Sequence, residues 1–170
     1  MSNSPLDIKP ISRIRRNHGL EHATIHVLGK KHPNVNFGGM SSPTGFTIIG
    51  DVSTEDVAEA AIAALKRLRA GKSDLALHPN CGTNFAVSGA FAGLGAWIGT
   101  LGSSKNFKRK LERLPLSLFL ATVALILSRR LGPMIQKNIT TSGDPENLEL
   151  ERVETVIRAG LRMHRVITRG

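Results

Sequence analysis

The sequence predicts an α+β protein: a small mixed α/β N-terminal domain, a two-helix membrane hairpin and a C-terminal amphipathic helix. Three observations predict it. A strand, helix, strand pattern lies between residues 45 and 78, two apolar runs occupy 82–135, and apolar residues recur among charges at helical spacing after Glu146. The expected boundaries are 1–81 for an α/β domain bearing metal-ligand motifs, 82–135 for the transmembrane hairpin and 136–170 for the tail helix.

Within the first segment, Ile14, Leu20, Ile25 and Leu28 sit among basic residues and predict a helix from Ile11 to about Leu28, weakened by Gly19 and ended by Gly29. Residues 30–42 contain Pro33, Gly38 and Gly39 and read as irregular or a short strand. Gly45 to Val52 is rich in β-branched and aromatic residues and predicts a strand. Ser53, as N-cap, opens a helix whose face is Val57, Ala61, Leu65 and Leu68 and which Gly71 stops. Leu75 to Leu77 predicts a second strand.

From Gly82 to Ser104 no residue is charged, a length that crosses a hydrocarbon core of about 30 Å. Gly89 and Gly93, and again Gly95 and Gly99, are spaced by four, where small residues let helices approach in lipid. They offer a homo-oligomer contact or a seam within the hairpin. After a basic connector, Lys105 to Arg113, the uncharged run Leu114 to Ser128 is short for a span, with Leu131 to Ile135 available to extend it. The alternative is a pair of core helices in a soluble protein, which a mean hydropathy of −0.06 allows. Pro133 to Pro145 reads as turn-rich, and Glu146 to about Thr168 as the amphipathic helix.

Composition narrows the function classes. A chain of 170 residues has no room for two enzyme-sized domains, and 41% hydrophobic with 21% charged residues excludes a disordered or collagen-like chain. The 23 Lys and Arg against 13 Asp and Glu give a formal net charge of +10, which predicts an acidic neighbour. Aromatic residues are only 4% and Tyr is absent, so stacking platforms for nucleic acid are scarce, whereas several basic groups flank apolar runs. The lipid bilayer is the expected partner and nucleic acid is disfavoured. A single cysteine, Cys81, excludes an intramolecular disulfide and suits a reducing compartment. Asp7, Lys9 and Arg13 interrupt the first apolar positions, so no cleavable signal peptide is predicted.

Two short motifs concentrate the metal-binding capacity. In His18-Gly19-Leu20-Glu21-His22, positions 18 and 22 lie one helical turn apart on one face, so their imidazoles can converge on one ion. The H-x-x-E-H order is that of inverzincins, in which the glutamate is general base. In His78-Pro79-Asn80-Cys81-Gly82, Pro79 fixes the turn and Gly82 permits a sharp exit, bringing an imidazole and a thiolate within reach of one metal. His18, His22, His78 and Cys81 make an N/S set that suits zinc. Each residue also has a bland reading: single histidines are usually structural, and Cys81 alone would be a small buried hydrophobe. His26 is a fifth candidate or an outer partner, while His32 and His164 are expected to do nothing chemical.

The segments N-H-G-L-E-H-A-T-I at 17–25 and H-P-N-C-G-T-N-F at 78–85 resemble the signature segments of the YqhQ-like bacterial membrane proteins, which carry H-G-x-E-H and H-P-x-C-G-T-x-F. That family is described as predicted metal-dependent enzymes of unknown reaction. The resemblance implies that His18, Glu21, His22, His78 and Cys81 form a metal site at a membrane. The short chain, with an extra strand and helix between the motifs, points equally to a sister family of unknown function.

Two functions follow. One is a zinc-dependent membrane hydrolase in which Glu21 is the catalytic base. The other is a non-catalytic assembly or partner-binding module with a closed structural zinc site, since four protein ligands leave no position for water. The expected location is the cell membrane, multi-pass, with the soluble part cytoplasmic.

Overall fold

A computed structural model describes residues 4–102, 107–158 and 160–170. The chain divides into two compact units, Met1–His78 with Lys137–Gly170, and Pro79–Gln136.

The first unit packs two helices on one face of an antiparallel sheet. Helix α1 spans Lys9–Lys31, longer than expected at both ends. Gly29 does not stop it: its backbone stays helical, a side chain there would meet open space, and Lys30 and Lys31 favour the helix C-terminus electrostatically. Strands β1, Gly38–Ser42, and β2, Gly45–Ile49, form a hairpin, resolving 30–42 in favour of a short strand. Helix α2, Thr54–Arg69, begins as its sequence predicts, with Ser53 Oγ accepting from the Asp56 N–H at 3.0 Å.

Two expectations fail in this unit. Leu75 to Leu77 is not a strand: Ser73–Ala76 is a 3-10 turn, and the carbonyls a strand would give to a neighbour go instead to histidine rings. The C-terminal helix is also absent. Glu149–Arg158 and Leu161–Arg169 are strands β3 and β4, joined at Gly160, whose φ of +76° suits glycine. Val153, Val156 and Ile157 fit the helical period, and Val156 breaks the two-residue alternation that Val153 and Leu161 share. The inward alternation of His164, Val166 and Thr168, with many β-branched residues, decides for strand.

The sheet order is β1-β2-β4-β3, so the last strand inserts beside β2, with Phe46 opposite Val166 and Ile48 opposite His164. Those inward residues meet Leu20 and Leu28 of α1 and Val57, Ala61 and Leu68 of α2 in the core. Asn17, fully buried, ties α1 to both edges of β2's neighbours: it donates to the Ser42 carbonyl and accepts from Thr168 Oγ1, both at 2.8 Å.

The second unit contains helices α3, Gly82–Thr100, α4, Phe107–Glu112, and α5, Leu114–Ile135. The expected basic connector begins with Lys105 and Asn106, which lie outside the described residues, as do Ser103 and Ser104 at the end of the first apolar run. Helices α3 and α5 pack together at Gly95 and Gly99, where a Cβ would overlap the Leu120 carbonyl and Ser117. Gly89 and Gly93 have open space around them. Ser128 Oγ donates to Ser88 Oγ at 3.0 Å across the same seam.

The expected pair of spans is corrected to one candidate. Among the described residues, a single helix, Leu114–Thr140, is long and apolar enough to cross a membrane. It was expected to be the shorter of the two. The helix absorbs Arg129, Arg130 and Pro133 and continues through a π turn at Gln136–Thr140, so this part of the expected loop is helical. Helix α3 falls short because glycines and Thr83, Asn84 and Thr100 dilute its apolar residues. Both helices expose large apolar side chains, among them Trp97 at 59% and Phe119 at 63%, more than a soluble surface normally carries.

His32 and His164, expected to lack companions, have them. His32 Nε2 lies 3.1 Å from Asp56, whose carboxyl is held below its usual range by hydrogen bonds from Lys31 and Ser53. His164 is fully buried beside Thr54 Oγ1, and burial pushes its pKa below the ordinary histidine value. The unfolded chain therefore takes up a proton that the folded chain refuses, beginning near pH 6.5, and stability falls as pH is lowered through that value. Denaturant titration at pH 7 and at pH 5 should show the wild type losing more stability than His164→Asn over this interval. Asn17→Ala should lower stability by about 2 kcal/mol at neutral pH, because two buried groups lose their partner.

Candidate metal centre

Four imidazoles gather in the first unit. His18, His22 and His26 occupy successive turns of α1, and His78 follows the 3-10 turn. The ring centroids of His18 and His22 are 4.4 Å apart, those of His22 and His78 5.7 Å, and those of His26 and His78 5.1 Å. The helical spacing thus brings the His18 and His22 rings together, and His78 lies beside His22 and His26. His22 is 2% exposed; His18, His26 and His78 are partly buried.

Backbone carbonyls orient three of the rings. His18 Nδ1 donates to the Thr140 carbonyl at 2.9 Å, His22 Nδ1 to Ala76 at 2.7 Å, and His26 Nε2 to Leu77 at 2.8 Å. A carbonyl only accepts, so each bonded nitrogen carries the proton. In the neutral ring the lone pair of His18 and His22 is then on Nε2, and that of His26 on Nδ1. This outer support is the usual companion of a metal-binding imidazole, because it fixes both tautomer and ring orientation.

Glu21, 4% exposed, sits on the adjoining face of α1 under β1. Its Oε2 accepts a short hydrogen bond from Ser41 Oγ, and its other oxygen lies against Gly39 so closely that a Cβ there would overlap it. The carboxylate is therefore locked to the first hairpin. Cys81 is buried, stands three residues after His78, and is the N-cap residue of α3.

Several contributors carried no recognisable signal. The segment Thr140–Ser142 runs along α1: Thr140 holds His18, the Ser142 N–H donates to the Arg15 carbonyl at 2.9 Å, and the Ser142 carbonyl occupies the space where a Gly19 side chain would be. Gly19, read as a helix weakness, is the close-approach point of this segment. Ala76, Leu77, Gly39 and Ser41 act through backbone or small size and are invisible in a search for ligand residues.

Residues 13–153 match the family described as a domain of unknown function, DUF6391. The chain belongs to this family. It is also 33% identical over 159 residues to an uncharacterized protein of Picosynechococcus sp., a match covering 83% of this chain and 71% of that protein. No solved structure matches. These matches agree with the expectation of a sister family of unknown function and do not confirm the YqhQ-like resemblance.

The two glycines of α1 test this geometry. Gly19→Ala should destabilise the protein by about 1–3 kcal/mol, since the Ser142 carbonyl must move. Gly29→Ala, with open space, should stabilise by up to about 1 kcal/mol through helix propensity. Equal effects in thermal or chemical unfolding would contradict the placement of Thr140–Ser142.

Proposed function

We propose that this chain is a membrane-associated zinc-binding protein whose ion is held by His18, His22, His78 and Cys81. The observation that carries the reading is the orientation of the His18 and His22 rings by backbone carbonyls, which assigns the lone pairs of two neighbouring imidazoles to their Nε2 atoms. Imidazole with thiolate is a set that zinc accepts readily.

With Cys81 as fourth ligand the shell is closed, and zinc serves structure or assembly. The hydrolase reading keeps three histidines as ligands and leaves a position for water, which zinc would acidify. That second reading takes Glu21, buried and held to the first hairpin by Ser41, as its base. We place the chain at the cell membrane through Leu114–Thr140, with the soluble part cytoplasmic.

Metal analysis of the full chain purified in detergent tests the reading. Wild type should carry a single zinc, His22→Gln should lose it, and Glu21→Gln should keep it. Loss in Cys81→Ser, with a lower melting temperature, supports the closed site; retention supports the three-histidine site with Glu21 as base. Wild-type protein that neither carries zinc nor takes it up would end the proposal.

A further inference from the structure

The first unit has an open cavity of about 690 Å³ between the C-terminal end of α2 and the loop at 141–146. Its size suits a small organic ligand rather than a bare ion. Three cations line it: Arg15 from α1, Arg69 from α2 and Lys137.

The charge of the two arginines is not neutralised by their anchors. Arg15 Nη2 donates to the carbonyls of Asn138 and Thr141 at 3.2 and 3.3 Å, and Arg69 Nη2 to that of Leu148 at 2.8 Å. These neutral acceptors fix the guanidinium groups and leave their positive charge for a ligand. Arg15 Nε is buried without a hydrogen-bond partner among the described residues.

The acidic residues of the cavity are partly accounted for. Glu146 pairs with Arg16 at 2.9 Å, outside the cavity lining, and Asp144 Oδ1 accepts the Glu146 N–H at 2.9 Å. Glu146 holds a φ of +47°, unusual for a residue with a side chain, so the loop keeps a costly conformation at the cavity rim. Asp74 and Asp144 remain as exposed carboxylates on the lining, since the N–H that Asp144 accepts is neutral.

We propose that this cavity binds a small phosphate ester carrying an amine, with the phosphate on Arg15, Arg69 and Lys137 and the amine toward Asp74. Fixed guanidinium groups suit phosphate oxygens, and a carboxylate on the same lining gives the cavity a zwitterionic preference. The same chemistry is offered by a free phosphoamine and by the headgroup of an aminophospholipid. The inference does not depend on zinc.

Calorimetric titration of the full chain in a non-ionic detergent distinguishes these sources. The probes are O-phosphoethanolamine, glycerol 3-phosphate, inorganic phosphate, and short-chain phosphatidylethanolamine below its micellar concentration. Saturable binding of phosphoethanolamine, tighter than that of glycerol phosphate or phosphate, is expected if the ligand is free; binding of the lipid alone identifies a bilayer headgroup. Arg69→Gln and Lys137→Gln should each weaken binding about tenfold, whereas Lys9→Gln should not. Circular dichroism of both variants separates lost binding from lost folding, and Lys137, an exposed residue, is the variant expected to fold normally. No saturable binding of any probe up to about 10 mM, or unchanged affinity in a folded Lys137→Gln, overturns the proposal.

Discussion

The inner face of α1 carries more polar chemistry than a buried helix face normally tolerates, and the first unit is arranged around satisfying it. Asn17, Glu21 and His22 are all nearly or fully buried. A buried polar group without a partner costs more than most hydrogen bonds contribute, so each must be met from outside the helix. The partners come from three directions: the β1 hairpin supplies Ser41 and the Ser42 carbonyl, the 3-10 turn supplies Ala76 and Leu77, and the segment after the π turn supplies Thr140. Chain segments more than a hundred residues apart in sequence are thereby tied to one helix.

This dependence explains what could be read from the sequence. The ligand candidates were legible because helical periodicity is local: His18 and His22 need only a single turn to meet. Helix α2 was legible for the same reason, with its N-cap and apolar face in one continuous stretch. Strand β2 announced itself through Phe46, Ile48 and their neighbours. The site's supports were not legible, because a backbone carbonyl has no side-chain identity and Ala76 or Thr140 carries no sign that its oxygen faces an imidazole.

The two main departures have a common cause. At 149–169 the first apolar positions follow the helical period, and the place beside β2 is what draws the segment into the sheet. At 75–77 the residues favour a strand, but no sheet edge reaches them and their carbonyls are claimed by His22 and His26. Local propensity was overridden where a distant element supplied or withheld a partner. The membrane prediction differed for another reason. Freedom from charge overrates the glycine-rich α3 as a span and underrates α5, whose two arginines interrupt an otherwise more apolar helix.

The net charge of +10 also changes meaning once the basic residues are placed. Arg13 donates to the Thr168 carbonyl, Arg15 to Asn138 and Thr141, Arg16 to Asn147 and to the Glu146 carboxylate, and Arg69 to Leu148. These guanidinium groups join helices to the C-terminal segment before they meet any partner. A guanidinium can do this because it presents five donors in a plane and stays charged while several are engaged. Arginine on α1 is therefore primarily a fastening of the fold, and the basic composition by itself does not define an acidic partner's footprint. Where such groups also line a concave surface, charge that was retained for structure becomes available for recognition.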